Sequence, residues 1–300
     1  MNSDNGDRIN RSGFINIIGN PNVGKSTLTN VLVGENLSIV TSKAQTTRHR
    51  IMGIVNGEDY QMVFSDTPGI LKPSYMLQES MMDFVDTALT DADIILYVTD
   101  TVEKIDKNIE YIERLNVIEC PVIIVINKID LSNQQKVEAL AEKWHTLVPK
   151  AEIFPASALN NFNLDNIFNR LKELLPVQHA WYDREVFTDR SMRFFASEII
   201  REKILVNYQK EIPYCTEIVV ERFEEGESMY TIEAVINVMR QSQKGIIIGA
   251  RGEAIKKVGT EARKEMETFF QRKVFLKLFV KVDPGWRENK KELKRFGYIQ

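Results

Sequence analysis

Phe14-Ile-Asn-Ile-Ile-Gly-Asn-Pro-Asn-Val-Gly-Lys-Ser-Thr27 reads as a short apolar strand, a tight turn and the start of a helix. Within it, Gly19–Ser26 matches the spacing G-x-x-x-x-G-K-[ST]. Two glycines let the backbone fold tightly, so that successive N–H groups point at one phosphate chain. Lys25 brings a point charge to the outer phosphates, and the Ser26 hydroxyl is placed to ligate Mg²⁺. The helix that follows favours the same anion through its N-terminus. Gly19, Asn20, Pro21, Asn22, Val23, Gly24, Lys25, Ser26 and Thr27 are therefore the expected lining of a nucleoside triphosphate. A glycine-rich turn with an incidental lysine is the competing reading. It is disfavoured because the match follows a strand and opens a helix, as the mechanism requires.

Working outward, apolar runs alternate with helical spacing. Ile94–Val98 and Val122–Ile126 are wholly apolar, as in strands of a parallel sheet buried on both faces. Helical stretches lie near 25–33, 76–89, 105–115, 134–147 and 163–174. This alternation predicts an α/β domain with a doubly wound sheet. Arg50–Val55 and Tyr60–Ser65 flank Asn56-Gly57, a hairpin signal. The sheet is thus expected to be mixed, with one antiparallel edge. Residues 176–190 lack periodicity and read as a linker and candidate hinge. Beyond them the order is helix, strand, strand, helix, strand over 191–300, a compact α+β module. The expected division is 1–175, linker 176–190, and 191–300.

Two further stretches choose the base. Asp66-Thr-Pro-Gly69 ends the strand 61–65. Asp66 can hold Mg²⁺ through water and the Gly69 N–H can meet the γ-phosphate, with Thr67 and Pro68 between them. Alone, that tetrapeptide is an ordinary turn. Asn127-Lys-Ile-Asp130 follows the buried strand 122–126, where open α/β sheets bind ligands. The Asp130 carboxylate can accept from guanine N1–H and the exocyclic amine, donors that adenine lacks. Lys128 lies between them. Ser157-Ala158 could turn a backbone N–H toward guanine O6.

Together these stretches resemble the motifs of the translation-factor-like GTPases. The wording of Gly19–Ser26 and the later Gln45-Thr-Thr-Arg48 is similar to the Era family. The resemblance implies GTP hydrolysis with Lys25, Thr47, Asp66 and Gly69 as the catalytic set. Thr47, favoured over Thr46, would complete a Mg²⁺ shell with Ser26 and Asp66. The residue after Gly69 is Ile70, which has no group to orient an attacking water. The family implication is a bound K⁺, with Asn22 as candidate ligand, and a slow intrinsic rate raised by a partner.

The second half carries Lys244-Gly-Ile-Ile-Ile-Gly-Ala-Arg-Gly-Glu-Ala-Ile-Lys-Lys257. Gly249-Ala-Arg-Gly252 is a G-x-x-G between helical segments, and it resembles the loop of a type II KH domain. KH modules clamp about four nucleotides of single-stranded RNA. Gly249, Ala250, Arg251, Gly252, Lys256 and Lys257 are the expected RNA contacts together with Ile246 and Ile248, and the run Ile246–Ile248 is expected to divide between core and a platform for bases. Phe194/Phe195 and Phe269/Phe270 read as core. Lys290–Arg295 reads either as a basic tail or as a solvated helix face.

Composition sets outer limits. The chain has 300 residues, 43% hydrophobic and 27% charged, ordinary for a water-soluble protein. No apolar run is long enough to span a bilayer, and Met1–Ser12 is polar. Residues 191–300 hold 21 Lys/Arg against 16 Asp/Glu, an excess of +5, while the whole chain is −3. Cys120 and Cys215 read as free thiols. A GTPase followed by a type II KH domain is the Era family's architecture. That resemblance, from about residue 10 to about 298, implies binding of the 3′ end of 16S rRNA and assembly of the 30S subunit in the cytoplasm. It also implies weak association with the inner face of the membrane; no lipidation motif or amphipathic anchor supports that. A monomer is expected. A GTPase whose C-terminal module binds a protein or a membrane-associated partner is the alternative. A pure RNA scaffold holding a structural nucleotide is another.

Overall fold

The computed structural model describes residues 11–299 apart from residue 106; the first ten residues, assigned above to the first domain, lie outside the described ones. Two compact units emerge. The first comprises Met1–Ser38, Thr47–Lys72 and Met81–Asp189; the second comprises Ile39–Thr46, Pro73–Ser80 and Arg190–Gln300. The expected spans are contiguous, and the two short segments 39–46 and 73–80 depart from that division.

The first unit runs β1 (Arg11–Gly19), α1 (Lys25–Val33), β2 (Ile51–Asn56), β3 (Tyr60–Asp66), α2 (Met76–Thr90, from Met81 onward), β4 (Ile94–Asp100), α3 (Ile109–Val117), β5 (Val122–Asn127), α4 (Gln134–Leu147), β6 (Glu152–Pro155) and α5 (Leu164–Leu174). Sheet order is β2-β3-β1-β4-β5-β6. Every neighbouring pair is parallel except β2 with β3. That hairpin is closed by the Gly57 N–H donating to the Tyr60 carbonyl at 2.9 Å. Strands β4 and β5, apolar over residues 94–98 and 122–126, are buried along their full lengths, because helices cover both faces. On one face Ile15, Ile17, Leu96 and Val125 pack with Leu28 and Leu32 of α1 and with Ile167 and Leu171 of α5. The opposite face turns Tyr97 toward Trp144 of α4, ring centroids 5.4 Å apart.

The segment read as a linker is strapped to the free edge of this sheet. The Ile54 N–H donates to the Phe187 carbonyl at 2.9 Å, and Gly53 bridges Thr188. Gln61 Nε2 donates to the Tyr182 carbonyl at 2.8 Å, and Ser12 Oγ to that of His179 at 2.6 Å. A strand edge left open is a template for aggregation; here the chain's own downstream residues occupy it. The strap contributes mostly its own backbone groups to these bonds, which explains why no side-chain periodicity announced it.

Behind the sheet end, the buried Arg50 guanidinium holds β2 to its neighbours. It reaches both Asp91 oxygens at 2.6 and 3.0 Å, Ser65 Oγ at 2.6 Å and Asn16 Oδ1 at 3.1 Å.

The second unit contains α6 (Met192–Asn207), β7 (Thr216–Glu225), β8 (Met229–Val238), α7 (Gln241–Ile248), α8 (Glu253–Phe270), β9 (Lys273–Val282) and α9 (Lys290–Arg295). Its sheet order is β7-β8-β9, antiparallel then parallel. Ile232, Ala234 and Ile236 bury one face. On β9, Leu278 points to α8, where a Cβ added to Gly259 would lie 3.4 Å from its side chain. Phe195 and Phe270 are buried, as core. The C-terminal stretch is not a free tail. Trp286 and Leu293 are fully buried, and Tyr298 donates from its hydroxyl to Glu217 at 2.8 Å. Lysines and Arg295 occupy the outward side of α9, which is the solvated-face reading. The segment 39–46 belongs to this unit through Arg201. Paired with Glu198 and buried, Arg201 donates to the carbonyls of Gln45 and Thr46. Lys43 donates to the carbonyls of Leu205 and Tyr208 at the end of α6.

Arg50→Met should lower the stability of the first unit by about 2 kcal/mol, since it strips hydrogen bonds from buried Ser65 and Asn16 while Asp91 can rehydrate. The urea midpoint of the nucleotide-binding unit checks this.

Candidate nucleotide and RNA sites

The C-terminal ends of the parallel strands converge on one edge of the first sheet. Gly19 ends β1, Asp66 ends β3, Asp100 ends β4 and Asn127 ends β5. Asp66 stands opposite Ile17, and Asp100 opposite Asn127. The phosphate loop turns between β1 and α1, with Asn22 at φ 66° and Gly24 at φ 96°. A Cβ on Gly24 would strike Asn127 Nδ2 at 2.2 Å, and one on Gly69 would strike the Pro21 backbone at 2.7 Å. Glycine at these positions is thus a packing requirement: the Asp66–Gly69 turn and the phosphate loop touch backbone to backbone.

Lys25 is buried, and Nζ donates to the carbonyls of Gly19 at 3.1 Å and Asn20 at 2.9 Å. Burial pushes its pKa down to about 8, while Asp66 and Glu103 pull the other way. It is a cation held by carbonyl dipoles at the mouth of an anion-shaped loop. Asp66 is fully buried, and burial raises its pKa against the pull of Ser26, Ser38, Lys25 and Thr47. Ser26 Oγ donates to Asp66 Oδ2 at 2.7 Å and lies 2.8 Å from Thr47 Oγ1, which is 3.4 Å from the same carboxylate oxygen. The second oxygen, Asp66 Oδ1, is buried with no hydrogen-bond partner. Two hydroxyls and a carboxylate with an orphaned oxygen are an all-oxygen donor set suited to Mg²⁺. The same geometry brings together Thr47, rather than Thr46, with Ser26 and Asp66; Thr46 Oγ1 instead meets Thr41 Oγ1 at 2.6 Å.

Ile70 is buried at 1% exposure, its N–H on the Gly19 carbonyl at 3.1 Å. It therefore fixes the turn and offers nothing to a water. The Asn22 side chain is exposed, free to meet a cation at the loop's rim.

At the base end, Asn127 is a brace. Its Nδ2 donates to the Val23 carbonyl at 2.8 Å, and its Oδ1 accepts from the Ala158 N–H at 2.9 Å. One side chain ties the phosphate loop to the Ser157-Ala158 loop. Because the Ala158 N–H is already spent on Asn127, it supports the loop in this arrangement rather than facing open space. Asp130 is exposed and accepts from Ser157 Oγ at 2.5 Å through Oδ1. Lys128 sits at φ 58° and pairs with Asp100 at 2.7 Å, its Nζ also donating to the Asn22 carbonyl. Its aliphatic stem thereby spans the floor between two loops.

Glu103 was not legible in the sequence. It accepts from Asn20 Nδ2 and from Thr99 Oγ1, both at 2.6 Å, and burial raises its pKa. Asn108 grips the other end of the Asn20 amide. The only sequence signal was a carboxylate three residues past the end of a buried strand.

In the second unit, Gly249, Arg251 and Gly252 have φ of 73°, 52° and 79°. Three residues of positive φ in four turn the chain sharply from α7 into α8. A Cβ on Gly249 would meet Ala254 Cβ at 2.6 Å, so the backbone lies against the helix start. Arg251 is exposed in a conformation that costs a non-glycine residue of order 1 kcal/mol. Lys256 and Lys257 are exposed on α8. Of the three isoleucines, Ile247 is fully buried, Ile246 is 50% exposed and Ile248 is partly covered.

Comparison with known proteins agrees with this geometry. A family model described as 50S ribosome-binding GTPase matches residues 14–128, and one described as KH domain matches 211–287. A GTPase Era of Clostridium perfringens is 42% identical over 96% of this chain and 98% of its own length. One from Syntrophus aciditrophicus is 43% identical over 96% and 95%. Among solved structures, Era in complex with MgGDPNP and nucleotides 1506–1542 of 16S ribosomal RNA superposes with a TM-score of 0.92 at 36% identity, covering 97% of this chain and 99% of that one. An Era variant from Aquifex aeolicus bound to GDP·AlF4⁻ gives 0.92 at 36% identity, with coverage of 97% and 100%.

Asn127→Ala should weaken guanine-nucleotide affinity by about tenfold, about 1.4 kcal/mol, because two loops lose one brace and the buried Ala158 N–H loses its acceptor. Fluorescent GDP titration of the folded variant measures it.

Proposed function

The chain belongs to the Era family of GTPases, and on that premise we propose that its GTP cycle controls a grip on the single-stranded 3′ end of 16S rRNA during assembly of the small ribosomal subunit. The observation that carries the RNA half is the left-handed turn Gly249–Gly252 at the start of α8, with Arg251 held outward in it. Such a turn brings backbone N–H groups and one guanidinium to a phosphodiester. The relative solved with Mg²⁺, a GTP analogue and the 16S fragment supports the choice of RNA and of metal.

For hydrolysis, the residues divide the work. Gly19–Thr27 wraps the phosphates, Lys25 neutralises the outer ones, and the Gly69 N–H is placed for the γ-phosphate. Mg²⁺, held by Ser26, Thr47 and Asp66, would supply charge stabilisation to the β- and γ-phosphate oxygens. Asn127, Lys128, Asp130, Ser157 and Ala158 form the guanine end, with Asp130 the acceptor that discriminates against adenine. With Ile70 unable to orient water, Asn22 is the proposed ligand for K⁺ at the rim. The proposed setting is the cytoplasm, the chain acting as a monomer, with weak membrane attachment a further family trait.

Steady phosphate release in K⁺ buffer should exceed that in Na⁺ buffer of equal ionic strength by about tenfold or more, a barrier change of about 1.4 kcal/mol. Lys25→Ala should abolish release in both. Equal turnover in the two buffers would remove K⁺ from the reaction. Arg251→Glu should weaken single-stranded RNA binding and reduce the slope of log affinity against log salt by about 1. Unchanged affinity and slope would show that this module serves a partner other than RNA.

A further inference from the structure

The outward face of β9 reads Lys273, Phe275, Lys277, Phe279, Lys281, every second residue of the strand. Val274, Leu276, Leu278 and Val280 occupy the alternate positions, toward the helices. β9 is an edge strand, paired on one side only with β8. Phe275 is 51% exposed and Phe279 41%, and all three lysines are exposed.

Lysines on an edge are a common defence against strand addition. Phenylalanines beside them are not, since they add apolar surface where water must cover it. The row is therefore better explained by a ligand that wants both. Lys277 Nζ lies 4.9 Å from the Phe279 ring centroid, so cation and ring already form one surface. Glu233, the residue of β8 opposite Lys277, is turned to Arg222 at 3.6 Å, and Lys277 faces the Phe279 ring instead.

We propose that this face is a second single-stranded RNA contact, separate from the G-x-x-G turn, in which Phe275 and Phe279 stack unpaired bases and the three lysines take the intervening phosphates. Single-strand binders combine these two elements, aromatic platforms and a cationic track. The spacing excludes a duplex. Four residues along a strand separate the rings by about 13 Å, against about 3.4 Å between stacked bases of a helix. An extended strand with splayed bases fits. An acidic peptide would satisfy the lysines and leave the rings without a flat partner.

The inference rests on the RNA reading of this module, and the test separates the two. Fluorescence anisotropy of the full chain is read with pyrimidine-rich RNAs of about 5 and about 12 nucleotides, the shorter sized for a single clamp. Phe275→Ser/Phe279→Ser should weaken the longer RNA by about tenfold or more and leave the shorter unchanged. Lys273→Gln/Lys277→Gln/Lys281→Gln should cut the salt slope for the longer RNA by about 2. Phe275→Trp/Phe279→Trp should restore binding, and thermal melting controls for folding. Arg251→Glu should weaken both lengths; if it weakens neither, the turn is not the clamp, a result independent of the phenylalanine variants. The proposal is overturned if those variants leave the longer RNA unaffected or weaken both lengths alike.

Discussion

Burying Lys25 at the start of α1 close to Asp66 at the end of β3 is the constraint on which the nucleotide site depends. Each charge would be costly in a dry interior without partners. The protein meets the cost with carbonyls for the lysine and hydroxyls for the aspartate, leaving one Asp66 oxygen unsatisfied. A polyphosphate chelating a divalent cation completes both halves together, since it brings anionic oxygens to Lys25 and a positive centre to Asp66. The surrounding geometry follows. Gly69 and Gly24 are glycines because the loops must close on this pair without side chains between them, and Asn127 is buried because it holds those loops at that distance.

The parts legible in sequence are those whose physics is local. A phosphate loop needs two glycines, a lysine and a hydroxyl at set intervals. Buried parallel strands need unbroken apolar runs, and a hairpin needs Asn-Gly. Residues 176–190 read as a linker in the sequence because a strap that pairs through its own backbone groups needs no particular side chains. Trp286 and Tyr298 were missed for a related reason. An aromatic outside any helical or strand repeat carries no period, and only tertiary packing tells an anchor from a solvated residue. Glu103 was missed because its partners, Asn20 and Thr99, come from separate strand ends. The assignment of segments 39–46 and 73–80 to the second unit depends on contacts far apart in sequence, such as Arg201 with the carbonyls of Gln45 and Thr46.

The second unit applies to an anion the same device as the first, by other means. In both, glycine at positive φ brings the backbone against the start of a helix. The phosphate loop adds a buried lysine, which suits a compact and highly charged ligand. The Gly249–Gly252 turn adds an exposed arginine and lysines along α8, which suit a long polymer carrying one charge per residue. Ile247 in the core, with its carbonyl accepting from the Tyr208 hydroxyl at 2.7 Å, anchors the turn to α6. Burial of charge in one site and its exposure in the other match the size of what each is built to hold.

The strap along β2 bears on how the molecule can be cut into pieces. A truncation ending at residue 175, where helical periodicity stops, would remove the chain that occupies the open side of the hairpin. It would leave the Ile54 N–H without its acceptor and Gln61 without the backbone groups it bridges. Such a fragment would carry a fresh adhesive edge and tend to self-associate in solution. A fragment ending at Asp189, whose carboxylate accepts from the Met52 N–H at 2.9 Å, keeps that edge capped and is the natural excision point of the catalytic half.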